Sequence, residues 1–150
     1  MKFGLLKFLL VILNSTFTEL YGRLIRRLPF LRSITFENIP LSKIHKRAFI
    51  SQPEKINFLH NDFQSIPIHA FEARLQNITL SGQKISKITN RTGSEIAKKA
   101  PRLMKINLRE NEISLIEPNA FVNLQNLEIL DLGANKLMKL NFHPGKVTDL

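Results

Sequence analysis

The chain has no cysteine and no tryptophan, only six glycines, and 12 acidic residues against 22 Lys and Arg. Each scarcity excludes something. Without cysteine there is no disulfide framework and no thiolate-ligated metal site. With few glycines spread over 150 residues, the chain is neither collagen-like nor a flexible linker. The longest unbroken apolar run, Phe8–Leu13, is too short to span a bilayer as a helix. Catalytic signatures are missing as well. There is no G-x-S-x-G elbow, no G-x-x-x-x-G-K-[ST] loop and no H-E-x-x-H, and Pro144-Gly145-Lys146 is not a phosphate loop. The four histidines are scattered, with no second ligand at metal spacing. The sequence therefore predicts no enzyme, no cofactor and no metal.

What the chain does have is period. Leu103, Ile106, Leu108, Asn111 and Ile113 fit the pattern L-x-x-L-x-L-x-x-N-x-L, and Leu127, Leu130, Leu132, Asn135 and Leu137 fit it again 24 residues later. The same frame extends backwards. A third repeat starts at Leu75 (Ile78, Leu80, Gln83, Ile85), a second at Pro53 (Ile56, Phe58, Asn61, Phe63) and a first at Leu31 (Ile34, Phe36, Ile39, Leu41). The starts at 31, 53, 75, 103 and 127 lie 22, 22, 28 and 24 residues apart. Periods of that size mark a solenoid with one short strand and one return arc per coil.

The pattern has a mechanical reading. Alternate residues of a strand face opposite ways, so positions four and six point into the coil and position five points out. The Asn at position nine sits where the chain leaves the strand. Its amide can satisfy backbone groups of its own coil and of its neighbour. Gln83 reaches the same task with a longer arm, whereas Ile39 cannot. In the return arc, Ile44, Ile66, Ile88, Ile116 and Leu140 recur three residues after the motif, and Ala48-Phe49, Ala70-Phe71 and Ala120-Phe121 place a Phe 18 residues after a repeat start. These three Phe are expected to stack as a spine on the convex side. One coil alone buries too little to offset its ordering entropy, so the coils must stack.

The third repeat is the longest. Its extra length predicts a protruding loop near Asn90–Gly93, followed by one or two helical turns capped by Ser94, with Ile96 filling part of the gap in the spine. Such a loop reads equally as a contact site or as a tolerated insertion. After Leu140 the pattern fades, and Val147 and Leu150 repeat the spacing of Leu124 and Leu127. Leu150 thus reads as the opening of a further strand, and the chain as a fragment.

Residues 1–22 (MKFGLLKFLLVILNSTFTELYG) combine a basic start with an apolar run and read as a secretory signal peptide, cut after Thr18 or Gly22. The other reading is a strand or helix that caps the first coil. Residues 23–30 (RLIRRLPF) are expected to cover the core edge of repeat one, and residues 31–150 form the repeat domain.

The net charge of +10 is uneven: nine Lys and Arg against two acids over residues 1–52, eight against four over 53–102, and five against six over 103–150. That excess suits an acidic protein partner or a polyanionic glycan, and equally a merely solvated basic face. No nucleic-acid motif appears, and the basic residues are not interleaved with aromatics. On the outward strand positions the candidate partner-binding residues are Lys55, Asn57, Leu59, Lys105, Asn107, Arg109 and Asp131, with Leu59 the exposed apolar one. Of the three N-x-S/T sequons, at Asn14, Asn77 and Asn90, Asn14 lies in the leader; Asn90 is the favoured glycan acceptor and Asn77, on a strand edge, the lesser one.

The repeats resemble the leucine-rich repeat family over residues 31–140, and the Asn position with its Ala-Phe arc resembles the typical extracellular subclass. The resemblance implies an α/β solenoid: an arc of about five repeats with a concave parallel sheet and short helical or irregular convex arcs. Short Ile- and Phe-rich repeats such as LRSITFENIPLSKIHKRAF are also similar to arthropod secreted proteins known as the non-catalytic subunit of Oplophorus-luciferin 2-monooxygenase. That similarity implies a binding or stabilising role. The sequence therefore leads to a secreted, non-enzymatic binding module, with an intracellular scaffold or an accessory subunit of an enzyme complex as alternatives.

Overall fold

The computed structural model describes residues 8–22, 30–49 and 52–150. Most of the cap segment expected over 23–30 lies outside them. The described residues build a parallel sheet of six strands in chain order: β1 (Phe8–Leu13), β3 (Leu31–Glu37), β5 (Lys55–Leu59), β6 (Asn77–Ser81), β8 (Lys105–Asn107) and β10 (Ile129–Asp131). On the return side, β2 (Glu19–Leu20) pairs with β4 (Lys43–Ile44), and β7 (Lys87–Ile88) with β9 (Leu115–Ile116). This is the solenoid the period predicts.

Register follows the motif position by position. Ile34, Ile56, Ile78, Ile106 and Leu130 lie side by side at position four, all essentially buried. Position six continues the layer with Phe36, Phe58, Leu80 and Leu108. A one-residue slip would turn every one of these side chains to solvent, so the register is strongly held.

Position eight has its own rule. Asn38, His60, Gly82, Glu110 and Ala134 all adopt positive φ, from 52° to 69°. Each coil leaves its strand through one left-handed residue, although only Gly82 is a residue type that takes it freely. Position nine then locks coil to coil. Asn111 donates from Nδ2 to the carbonyls of Leu80 (2.7 Å) and Leu108 (2.9 Å), and its Oδ1 accepts from the Ile85 N–H (3.2 Å). Asn135 repeats the arrangement on Leu108, Leu132 and Ile113. Gln83 does so with its longer arm, donating to Phe58 and Ser81 and accepting from Phe63.

Asn61 is the exception. It is 4 % exposed, and its Oδ1 has no partner among the described residues. By analogy it should accept from the Leu41 N–H. That N–H is turned onto the Ile39 carbonyl, 2.7 Å away, in the tight Ile39-Pro40-Leu41 turn.

Residues 8–22 behave as one more coil. Leu10 and Ile12 pair with Ile34 and Phe36 and pack against the core. Asn14 has φ 49° at position eight, and Leu20, 1 % exposed, pairs with Ile44. In the uncut chain residues 8–22 thus form a coil in register on repeat one. Glu19 Oε2 ties this coil down by accepting from His45 (2.6 Å) and the Tyr21 hydroxyl (2.8 Å), with Lys43 Nζ at 3.7 Å. Those partners hold the Glu19 carboxyl below the usual range and raise the Tyr21 hydroxyl.

Three expectations need correction. The first concerns the extra length of repeat three, which makes no protruding loop. It forms helix α1 (Asn90–Lys99), capped by Thr89, whose hydroxyl accepts from the Thr92 N–H at 3.1 Å; Ser94 lies inside the helix. The helix fits because Gly93 lets it lie directly against the Ala120 carbonyl. Ile96 is fully buried, as expected of a spine filler.

The second concerns the Phe spine. Phe49, Phe71 and Phe121 are all buried, but among the described residues they do not stack on one another. Phe49 meets the strand rings Phe36 and Phe58 edge-on, at 6.2 and 6.5 Å, and Phe121 meets Phe142 at 5.5 Å.

The third concerns the last coil. Leu140 is 61 % exposed, unlike its counterparts, because residues 141–147 fold back and His143 donates its N–H to the Pro118 carbonyl at 2.8 Å. The next coil opens at Val147 rather than Leu150, since Asp149 bridges Ile129 at position three.

Candidate functional site

The outward positions of β3, β5, β6, β8 and β10 form one largely polar sheet face. Its rows follow the pairing: Ser33, Lys55, Asn77, Lys105 and Ile129 at position three, and Thr35, Asn57, Thr79, Asn107 and Asp131 at position five. Position seven adds Glu37, Leu59 and Ser81, then Arg109 and Gly133.

All seven residues expected to bind a partner lie on this face, in two groups. Lys55, Asn57 and Leu59 stand on β5. Lys105, Asn107 and Arg109 stand at β8, with Asp131 beside them on β10. Between the groups runs β6, which presents the neutral side chains Asn77, Thr79 and Ser81. Two strand spacings separate the groups, about 10 Å.

Lys55, Lys105 and Arg109 are exposed, and Asn57, Asn107 and Asp131 are half-buried. Asn57 donates to the Thr35 hydroxyl at 2.9 Å, which holds its amide flat against the sheet. The carboxamide of Asn107 accepts the Arg109 N–H, and the carboxylate of Asp131 accepts the Gly133 N–H, both at 2.9 Å. The Arg109 guanidinium crosses directly over Gly133, where any Cβ would collide with it, and Nε lies 3.6 Å from Glu110. These side chains are oriented by the backbone that carries them, which lowers the entropy lost on contact.

Leu59, expected as the exposed apolar residue, is half-buried. The exposed apolar side chains on this side of the sheet belong to β1: Leu9, Val11 and Leu13 are 62 %, 45 % and 51 % exposed. They fall within residues 1–22, the segment whose sequence reads as a leader. FLLVIL is apolar throughout, so no alternation marks which side chains face out. Among the described residues no cluster of His, Cys, Asp or Glu is arranged to hold a metal ion, and no helix is long and apolar enough to cross a membrane.

A second surface runs along the edge where the chain leaves the strands. Asp62, Lys84, Glu112 and Lys136 occupy position ten of four successive coils and alternate in sign. Lys84 Nζ is 2.7 Å from Asp62, and Lys136 Nζ is 2.9 Å from Glu112. Asp62 raises the Lys84 ammonium above its ordinary value, and Lys136 lowers the Glu112 carboxyl.

A family model described as "Leucine rich repeat" matches residues 74–137, the span of the third and fourth repeats and the start of the fifth. This is a leucine-rich repeat protein. Toll-like receptor 3 of Bos taurus is 32 % identical over 122 residues, 75 % of this chain and 13 % of that protein. Human Toll-like receptor 3 is 31 % identical with the same coverage. Chaoptin of Tribolium castaneum is 26 % identical over 113 residues, 74 % of this chain and 14 % of chaoptin. The leucine-rich repeat chain thus spans about one seventh of these relatives, and what it shares with them is the repeat. They do not bear on the likeness to the luciferin-monooxygenase subunit.

Proposed function

We propose that this leucine-rich repeat chain is a secreted, non-catalytic module that binds a protein partner through its concave sheet face. The observation that carries the reading is the pair of cation-bearing groups on that face, Lys55 with Asn57 and Lys105 with Asn107 and Arg109, flanking the neutral strand β6. A rigid parallel sheet offering many small polar contacts suits an extended or flat protein surface. The cations favour an acidic one. Secretion is supported by the basic start and by β1, whose apolar outward row a water-facing sheet does not need but a signal sequence does.

A second reading is favoured by a specific observation. Leu20 is buried and Glu19 is tied to His45, so residues 8–22 could serve as a permanent coil of an intracellular scaffold.

Expression of the full chain in a secretory eukaryotic cell separates the two. Product in the medium beginning at Glu19 or Arg23 supports the secreted module; folded product kept in the lysate with an intact N-terminus supports the scaffold. Photo-crosslinkers at Asn57 and Asn107 then test the face. Adducts from these positions, and none from a crosslinker at Ser114 on the strand-exit edge, support it; the reverse pattern sinks it.

A further inference from the structure

The net positive charge of this chain is not concentrated on the concave face. On the return arcs, Arg47, His69 and Arg91 each stand 16 residues after a repeat start, at 31, 53 and 75. Stacking therefore brings them to one register on three successive coils. Around them lie Lys46, exposed beside Arg47, and Lys99 at the end of α1, which packs against the short 3-10 turn Ile68–Ala70. Burial, then Lys99, Lys46 and His45, hold the His69 imidazole below its ordinary value, which places Lys46 and Lys99 on either side of a neutral His69.

Lys46, Arg47, Arg91 and Lys99 make no ion pair among the described residues, while Lys98 takes Glu95 at 3.7 Å. Of the acids nearby, Glu117 accepts the Asn90 N–H at 2.6 Å. Glu72 is half-buried, its carboxyl raised by burial and drawn back by Lys99, so Lys99 has an acid beside it while Lys46, Arg47 and Arg91 do not. The undescribed residues cannot offset the charge: 1–7, 23–29 and 50–51 contain Lys2, Lys7, Arg23, Arg26 and Arg27 and no acid.

We propose that this arc row is a binding surface for a linear sulfated polysaccharide. Cations carried on successive return arcs, with Lys46, Arg47 and Arg91 free of any acid among the described residues, match a chain carrying anions at intervals. The exposed aromatic beside the row, Tyr21, is already stacked on His45 at 4.2 Å and bonded to Glu19, so a sulfated chain, which needs no stacking, fits better than a nucleic acid. The source of such a ligand rests on the extracellular reading above. Binding in solution does not depend on secretion, so the two fail separately.

The test uses the purified full chain, made without glycans so that Asn90 leaves Arg91 open, and immobilised heparin as probe, across a range of salt. Lys46→Gln/Arg47→Asn/Arg91→Gln should weaken binding about tenfold or more and flatten the salt dependence by roughly two to three counterions. Lys55→Gln/Lys105→Gln/Arg109→Gln, which removes as much charge from the concave face, should change affinity less than about twofold. Circular dichroism checks that both fold. If the arc triple does not fold, Arg91→Gln/Lys99→Gln should still weaken heparin binding about threefold. Equal losses for both triples overturn the proposal. So does equal or tighter binding of single-stranded RNA or of phosphatidylserine vesicles by the unaltered chain at the same salt.

Discussion

Gly93 of helix α1 rests on the backbone carbonyl of Ala120 so closely that a Cβ at Gly93 would overlap the oxygen. A glycine inside a helix normally costs about 1 kcal/mol relative to alanine. Here it is required by contact with the next coil. Gly93→Ala should therefore destabilise the fold by about 2–3 kcal/mol despite its better helix propensity, as read by urea denaturation. Ser94→Ala, one residue on, should shift stability by less than about 0.5 kcal/mol. Equal behaviour of the two variants would show that α1 does not pack as described.

The position-nine amides should differ in worth. Asn111→Ala strands the Leu80 carbonyl and the Ile85 N–H, while the Leu108 carbonyl keeps its bond from Asn135. Leaving such buried groups unpaired should cost about 2–4 kcal/mol. Asn61→Ala removes a bond to the Leu59 carbonyl and an oxygen that has no partner, so its cost should stay near about 1 kcal/mol. Paired denaturation curves check this, and an Asn61 variant as damaging as the Asn111 variant would refute it.

Position eight offers a stabilising change. Ala134 is exposed and held at φ 52°. Glycine there removes a left-handed cost of about 1–2 kcal/mol against a gain in unfolded-chain freedom of about 0.4–1 kcal/mol. Ala134→Gly should raise the melting temperature. Gly82→Ala should lower it, because a Cβ there meets the His60 ring.

The alternating edge charges predict a pH response with two limbs. Glu112 has its carboxyl lowered by Lys136. Its contribution is present above the ordinary carboxylate value and is lost as pH falls through the depressed folded one. Lys84 is raised by Asp62, so its contribution is full below the ordinary lysine value and is lost as pH rises through the elevated folded one. Melting temperature against pH should thus be level near neutrality and fall at both ends. Glu112→Gln should flatten the acid limb, and high salt should shrink the difference. An unchanged acid limb in that variant would count against the ladder.

Glycan placement should separate the sequons. Asn90 begins α1, and its Oδ1 accepts the Asn119 N–H, a bond that modification of Nδ2 leaves in place. Asn77 stands mid-sheet on the concave face. In a secreted product, intact mass with Asn90→Gln should show the loss of one glycan and with Asn77→Gln no loss. A glycan on Asn77 would cover the neutral strip and argue against that face as a protein site.

The strands, their register and the position-nine locks were legible because each is a local pattern repeated at a fixed step. Gln83 and the Asn residues announce their task by spacing alone. What escaped notice depends on contacts between coils. Gly93 reads as a helix breaker until the Ala120 carbonyl is seen beside it. β1 is apolar on both faces, so its sequence does not mark which side chains face out, and only pairing with β3 divides them. The left-handed residue at position eight was invisible because Asn, His, Gly, Glu and Ala share no side-chain chemistry. The seven candidate contacts were found from alternation, but Leu59 was misjudged, since its cover comes from neighbours and not from its own segment.

Helix α1 also ties the two halves of the concave face together from behind. It packs against the 3-10 turn Ile68–Ala70 of the coil before it, and its Gly93 lies on the Ala120 carbonyl of the coil after it. Between those contacts Lys87–Ile88 stays paired with Leu115–Ile116. The helix therefore works as a rivet through coils two, three and four, the coils that carry Lys55, the neutral strand and Lys105. How far apart the two cationic groups stand is fixed by contacts on the opposite side of the coil, in residues outside that face.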